Sequence, residues 1–526
     1  MLAAVFVLSA FSAIASGAGE NELELVEMEH FTGSYHENFN SVAAVPDGFI
    51  VVGEAQTAGI SAGEGVPEPK GWYDAIAVKY DRNFDLVWMK FFGGEGGEDR
   101  SCFNSVVAVP DGFVAVGWSN SETITEGDTT LGAKGDSYAI IVKYDNDGNV
   151  VWMRNFGGAG GTNFNSVAAV SDGFVAVGGS SSETISEGNA TIGGKGGPDA
   201  TETTYDAVIV KYDNDGNVVW MKNFGGDDDE YFFSVTAVSG GVVAVGSSRS
   251  DTITEGNATL TGKGGSDAIV VKYSNSGNAV WMKSFGGAGD ESFSSVIAVS
   301  GGFVAVGSSV FETMTDGDIT LSGKGNADAI IVKFDKDCNV VGMKNIGGPR
   351  NEHFFSVTAV SDGFVAAGHT YSSKNSVDIS ENGMTLTGKG SWDAIIVKFD
   401  SDLNVTGMRN FGGDINDTFM SVAAVSDGAV AVGHSESPTI VEEIGGATVT
   451  LTRVAHNDAI ITKYAGASFD WRYAEFDDDD NEDVPGGDGN GNGGGGGNNN
   501  MLWIAIVIAM IAAAAAVFAI LKRKKS

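Results

Sequence analysis

The chain has 526 residues, 31 of them basic and 69 acidic, for a formal net charge of −38. So negative a surface repels phosphate backbones and excludes nucleic acid as a partner. With 76 glycines against 8 prolines the composition points to short strands and tight turns rather than to a proline-rich disordered chain, and two cysteines, Cys102 and Cys338, cannot build a disulfide framework.

Residues 1–18, MLAAVFVLSAFSAIASGA, form an apolar run closing on small residues, the pattern of a signal peptide cleaved after Ala15 or Ala18. The basic residues that normally precede such a run are missing, so a misplaced start or an uncleaved anchor are the competing readings. From residue 23 to 476 the chain repeats itself. The serine of an SV-x-AV phrase recurs at Ser41, Ser105, Ser166, Ser234, Ser295, Ser356 and Ser421, and the lysine of an IVK-aromatic phrase at Lys79, Lys143, Lys211, Lys272, Lys333, Lys398 and Lys463. The two phrases alternate strictly, so there are seven units.

Each unit reads as four strands, A to D. SVAAV and FVAVG are β-branched runs joined by an SDG or PDG turn, and DAIIVKYD and NVVWMKNF are joined by NDG. Their near-continuous apolar character requires cover on both faces. A four-stranded unit repeated seven times is satisfied by an all-β, seven-bladed propeller, which removes the exposed end faces of an open stack. LVEMEHFTG at 25–33 is a degraded copy of strand D and predicts that the N-terminus completes the last blade; FDWRYAEF at 469–476 competes for that place.

KYDNDGNVVWM resembles the tryptophan-docking repeat of quinoprotein-type propellers, and the whole unit resembles repeats of bacterial and archaeal cell-surface propellers, including SBBP repeats. That resemblance covers residues 25–476. It implies that Trp88, Trp152, Trp220, Trp281 and Trp471 dock between blades, with looser packing where Gly342 and Gly407 replace the tryptophan. It implies no cofactor, because no cofactor-binding or vicinal-cysteine motif accompanies it. It is specific for fold and says little about activity.

In this strand order the B–C and D–A loops share one face. The B–C connections are long, and TITEGNATLT within them alternates around a turn, which predicts an added hairpin on most blades. A GKG motif in these loops places Lys134, Lys195, Lys263, Lys324 and Lys389 at equivalent sites, with Lys70 and Arg453 as counterparts. Two readings follow: a positive ring for an anionic ligand, or lysines paired with carboxylates such as Asp267 or Glu255. The D–A loops are acidic, most densely at Asp227, Asp228, Asp229 and Glu230, where a hard cation such as calcium could sit among clustered carboxylates. No ligand spacing recurs, so no metal site is specified and solvated charge is the default. Trp118, His369 and His434 stand at equivalent ends of strand B and line a candidate binding face. No nucleophile with a base and orienting acid recurs, so no catalytic residue is assigned and an enzyme is not expected.

Residues 477–500 are acidic and then rich in glycine and asparagine, a linker that buries too little to fold. Residues 501–521 carry no charge over a bilayer's thickness and predict a transmembrane helix, followed by the basic tail 522–526. The expected topology is single-pass, with the propeller outside and the C-terminus cytoplasmic. The expected function is recognition of an extracellular protein or glycan through the long-loop face. The alternatives are a structural component of the cell envelope without a discrete ligand and, third, a polysaccharide-acting enzyme.

Overall fold

The computed structural model describes residues 23–465 apart from 32–35, 57–69, 189, 196–203, 257, 311–312 and 454–455. The predicted leader, the 469–476 segment with Trp471, the linker, the transmembrane helix and the basic tail lie outside the described residues. Among the described residues no helix is long and apolar enough to cross a membrane. Two compact units are distinguished, 1–476 and 477–526, and the second lies wholly outside the description.

Seven four-stranded antiparallel sheets follow one another. In blade 1, strands A to D are Glu37–Val45, Gly48–Gln56, Tyr73–Asp81 and Leu86–Phe92, hydrogen-bonded in that order. The A strands of blades 2 to 7 are Ser101–Val109, Thr162–Val170, Glu230–Val238, Glu291–Val299, Glu352–Val360 and Asp417–Val425. Each packs on the A strand of the next blade and the last on the first, so these strands form the hub of a closed seven-bladed propeller. Blade 7 has only three consecutive strands; its fourth is Glu24–Phe31, paired antiparallel with Asp458–Ala465. The N-terminal strand therefore fills the place for which two segments competed in the sequence.

The core is divided among the seams between blades. Ile50, Val52, Ala75 and Ala77 of blade 1 share one cluster with Phe113, Ala115, Ile140 and Val142 of blade 2. Phe31, Val430 and Ile461 join Phe49, Val51 and Ile76 in the seam that closes the ring. Both faces of each sheet are thus covered, which is why the strands carry continuous apolar runs rather than alternation.

A second regularity concerns the outer edge. Trp88, Trp152 and Trp220 each donate the indole N–H to a carbonyl in the C–D turn of the next blade, Asn146, Asn214 and Asn275, at 3.3, 3.0 and 2.9 Å. The glycine of that turn, Gly148, Gly216 or Gly277, has a positive φ of 74, 76 or 79° and lies against the indole. Elsewhere the pair changes together. Trp281 faces the small Cys338, whose φ is 63°. Gly342, which predicted looser packing, faces Leu403, 4 % exposed, whose Cδ1 would lie 3.4 Å from a Cβ at residue 342. Packing there is restored because the following turn supplies the missing volume. Glu27 holds the tryptophan's position opposite Lys463, and the turn after it carries the buried Phe84.

Volume complementarity of this kind predicts strong coupling. Gly342→Trp alone should overpack the seam and cost about 1–3 kcal/mol. Leu403→Gly alone should leave a void and cost about 2–4 kcal/mol, partly offset by relief of its left-handed φ of 65°. The double variant, which rebuilds the pairing found at Trp152 and Gly216, should be more stable than either single variant in urea unfolding; simple additivity would refute the pairing.

Candidate functional site

Blades 2 to 7 carry an added two-stranded hairpin between strands B and C, such as Thr123–Glu126 with Thr129–Gly132 in blade 2 and Thr252–Glu255 with Ala258–Thr261 in blade 4. Alternation seats each hairpin: Ile124 and Ile253 are fully buried while Thr123 and Thr252 face outward. The hairpins and the D–A loops make up the long-loop face.

On this face the lysines at these places, Lys263 apart, are committed to neighbouring blades. Lys70 pairs with Glu126, Lys134 with Glu187, Lys195 with Glu255, Lys324 with Glu381 and Lys389 with Glu442, in each case a glutamate of the next blade's hairpin. Lys263 faces an aspartate, Asp316, at the corresponding place; its ammonium instead donates to the Ser284 carbonyl at 3.0 Å, and Asp316 pairs with Lys283. Arg453 donates to the carbonyls of Glu436 and His456. The lysines form a chain of inter-blade links rather than a free positive ring. Their own backbone amides add a second tie, as Lys195, Lys263, Lys324 and Lys389 donate to Asp206, Asp267, Asp328 and Asp393 at 2.6–2.8 Å.

The acidic run of the third D–A loop is dispersed. Asp227 and Asp228 are exposed, Asp229 accepts the Tyr205 amide at 2.9 Å and faces Arg249 at 3.8 Å, and Glu230 is fully buried. Glu230 accepts the Gly226 amide and the Ser248 hydroxyl, both at 2.8 Å, and so clasps its own loop. Among the described residues no group of three or more His, Cys, Asp or Glu is placed to hold a metal ion.

Around the hub the blades differ from one another. Glu54, Trp118, Gly179, Ser247, Ser308, His369 and His434, near the end of strand B, pair with Asn38, Cys102, Asn163, Tyr231, Ser292, His353 and Thr418 of strand A. Two residues further along strand A comes a residue left out of register by a bulge, for example Phe233, Ser294 and Phe355. Around this ring the polarity is sorted by blade. Asn40, Asn104 and Asn165 donate to the backbone carbonyl of the next blade's A strand, at 3.0, 2.8 and 2.9 Å. Blades 3 and 4 supply a stack of Tyr205, Tyr231 and Phe233, with centroids 5.3 and 6.0 Å apart.

Blade 6 gathers the densest group. His353 stacks on Phe355 at 4.3 Å, and His369 lies 5.0 Å from Phe355 and 4.3 Å from Trp392, which touches Tyr371 at 5.0 Å. Arg350 sits 4.9 Å over Tyr371. His353 also shares a 2.7 Å hydrogen bond with Ser294, and Thr418 one of 3.4 Å with His369. Burial pushes the His353 imidazole down to about 4, and burial with the neighbouring His353 and His434 takes His369 to about 3. Both rings are therefore neutral at pH 7, suited to hydrogen bonding and stacking rather than to charge. Opposite, Arg100 lies 4.3 Å over Tyr73 and 6.0 Å from Trp118, and burial raises the Glu54 carboxyl despite Arg100 beside it.

His369 belongs to this aromatic group, Trp118 lies across the hub ring, and His434 holds the matching position in blade 7. The sequence reading missed His353, Phe355, Trp392, Tyr231 and Tyr205. His353 and Tyr231 did leave a signal: the residue before the strand-A phenylalanine reads N, C, N, Y, S, H, T through repeats otherwise near-identical.

No family model matches the chain. It is 26 % identical over 335 residues to the regulatory protein FlaEY of Caulobacter vibrioides, a match that takes in 59 % of this chain and 34 % of that protein. The chain thus matches about a third of that relative's length. Among solved structures it is similar to the WD40 β-propeller domain of Doa1, at 11 % identity and a TM-score of 0.39 over 84 % of this chain and 97 % of that one. It is also similar to the hemagglutinin-neuraminidase of Parainfluenza Virus 5, at 8 % identity and a TM-score of 0.32 over 85 % and 96 % of the two chains.

Proposed function

We propose that this chain is a membrane-anchored, extracellular recognition module that binds a protein or glycan through the long-loop face, with the ligand seated over the hub ring. One observation carries the reading. Seven near-copies keep the same strands, seams and buried apolar runs, yet replace one another's side chains at the hub, where sequence repetition would otherwise produce a uniform ring. Packing alone gives no reason for that divergence, whereas a single asymmetric ligand does. Half-exposed aromatic faces beside neutral imidazoles suit sugar rings or apolar peptide side chains. The uncharged stretch 501–521 and the basic tail behind it supply the anchor, with the propeller outside and the tail in the cytoplasm.

The test is binding of the full chain in detergent to a panel of polysaccharides and envelope fractions. A specific ligand should lose at least about tenfold in affinity with Trp392→Ala or Tyr231→Ala, a loss on the scale of one stacked aromatic. Removing the blade 4 hairpin should leave folding intact and weaken binding if the ligand reaches the rim. Binding indifferent to both hub variants would sink the hub assignment. A folded protein that binds nothing, found in ordered arrays on cells, would mark a structural envelope component, and turnover of a polysaccharide would mark an enzyme.

A further inference from the structure

Four positions recur where two blades meet at the hub. One blade supplies the residue near the end of strand B and the residue just before the buried aspartate of strand C. The next blade supplies the strand-A residue before the phenylalanine and the bulged residue after it. Tyr205, Ser266 and Ala327 are equivalent in this frame, since each carbonyl accepts the first amide of the following strand A, from Glu230, Glu291 and Glu352, at 2.7–2.8 Å.

Bulk is shared out across these seams. Between blades 3 and 4 the four residues are Gly179, Tyr205, Tyr231 and Phe233. Gly179 leaves the room that Tyr231 takes: a Cβ there would stand 2.7 Å from the ring's Cδ1, and Tyr205 stacks on the same ring at 5.3 Å. Between blades 6 and 7 the large His369 meets the small Thr418 at 3.4 Å, and between blades 5 and 6 the small Ser308 is matched with the large His353.

The seam of blades 4 and 5 breaks this pattern. All four of its positions are serine, Ser247, Ser266, Ser292 and Ser294. Phe233 stands to one side of them, stacked on Tyr231 at 6.0 Å. His353 stands to the other, 2.7 Å from the Ser294 hydroxyl and 4.3 Å from Phe355. Ser247, Ser266 and Ser292 are half-buried, and among the described residues no hydrogen bond engages their hydroxyls. The seam therefore lacks a ring that its neighbour carries, and has three free hydroxyls where that ring would be.

An occupant has to bring the bulk of a ring, apolar faces for Phe233 and His353, and polar groups around its edge for the serines. A leucine or phenylalanine side chain would cover the hydroxyls and leave them without partners, which costs binding. An anion finds no lysine or arginine at the four positions, in a chain of net charge −38, and Arg249 beside Ser247 and Ser248 faces Asp229 at 3.8 Å. A pyranose meets all three needs, with C–H faces for the aromatic rings and hydroxyls that both donate and accept.

We propose that the seam of blades 4 and 5 is the specificity subsite of the hub and takes one neutral sugar residue, its ring between Phe233 and His353 and its hydroxyls on Ser247, Ser266 and Ser292. This deepens the recognition reading above and rests on the hub being the ligand face. The serines set which sugar enters, and the other aromatics of the ring hold the rest of the glycan.

The experiment titrates the full chain in detergent with mannan, galactan, xylan and β-glucan as neutral polymers, with polygalacturonate as an acidic one, and with envelope proteins. Binding of a neutral polymer is expected, insensitive to added salt and competed by the methyl glycoside of its own sugar. Ser292→Tyr combined with Ser247→Gly builds into this seam the pairing of Tyr231 with Gly179. That variant should melt no lower than the wild type and lose at least about tenfold in affinity, because the space is filled. The triple variant Ser247→Ala, Ser266→Ala, Ser292→Ala keeps the space and removes the hydroxyls, and should also lose about tenfold or more. It decides the matter if the filled variant does not fold. A glycan lost with Trp392→Ala but bound normally by the serine variants would overturn the subsite and leave the hub reading standing. Binding of polygalacturonate alone, or of envelope protein alone, would overturn the neutral sugar in the same way. A folded chain that binds none of these would overturn both.

Discussion

Deletion of residues 23–31 from the full chain is expected to abolish cooperative folding of the propeller. The strand Glu24–Phe31 is the outer strand of blade 7, and its pairing with Asp458–Ala465 carries the chain's beginning to its end, beside a single backbone bond from the Glu37 amide to the Asn457 carbonyl. It buries Leu25 fully, Met28 to 4 % and Phe31 to 8 % exposure. At about 1.5–3 kcal/mol for each such side chain, the apolar loss alone is roughly 4–9 kcal/mol. That is the size of the whole stability of an ordinary domain, about 5–15 kcal/mol. The consequences reach further than the strand. The edge of Asp458–Ala465 would be left bare, inviting pairing between molecules. The deleted protein should therefore show no sharp thermal transition and should self-associate in size-exclusion chromatography. A synthetic peptide of residues 23–31 added in excess should restore the transition, because it supplies the same hydrogen-bonding edge and the same three side chains. A deletion variant that melts as sharply as the wild type without peptide would show that the ring closes some other way.

That closure was half-legible in the sequence. LVEMEHF is close enough to VVWMRNF to be read as a strand D, and the spacing of Ser41 through Ser421 requires seven blades. What composition could not do is rank it against 469–476, since the choice turns on which segment lies beside Asp458–Ala465 in space. The added hairpins were legible for the same reason as the blades: TITEGNATLT alternates, and alternation is a local property. The partners of the GKG lysines were less so. Lys195 to Glu255 spans a whole repeat, and only the stacking of blades brings them together. The complementarity of Gly342 with Leu403 escaped because each looks like a defect alone, a missing tryptophan in one blade and a bulky left-handed residue in the next. At the hub the histidines stand out because histidine is scarce, with 6 copies in the chain, whereas Tyr205, Tyr231 and Phe355 are aromatics of a kind that strands carry throughout this chain. Their grouping needs the bulge, which turns one residue of strand A out of register, and a bulge leaves almost no mark in sequence.

The same bulge explains the glycine that closes every AVG or VVG phrase, and it predicts the second large effect. In blade 4 the register of strands A and B shifts between Phe232 and Ser234, which brings the Tyr231 carbonyl hard against Gly246. A Cβ at residue 246 would overlap that oxygen outright, and the obstacle is backbone, which no rotamer change can move. Gly246→Ala should therefore force strands A and B apart within the hub and cost at least about 3 kcal/mol, the upper range for overpacking a close-packed interior. Two other glycines separate this cause from the usual ones. Gly317, at a hairpin tip, has a φ of 59° and open space around it, so Gly317→Ala pays only for the left-handed backbone, about 1–2 kcal/mol. Gly132 meets nothing within 4 Å and has no positive φ, so Gly132→Ala should be neutral or stabilise by up to about 1 kcal/mol through the unfolded chain. Urea unfolding of the three variants at one pH ranks them directly. If Gly246→Ala fell no lower than Gly317→Ala, the close approach would not be what holds glycine at this place. Because Tyr231 belongs to the aromatic stack at the hub, Gly246→Ala should also weaken ligand binding in whatever fraction remains folded, joining the reason for an unvarying glycine to the varied ring beside it.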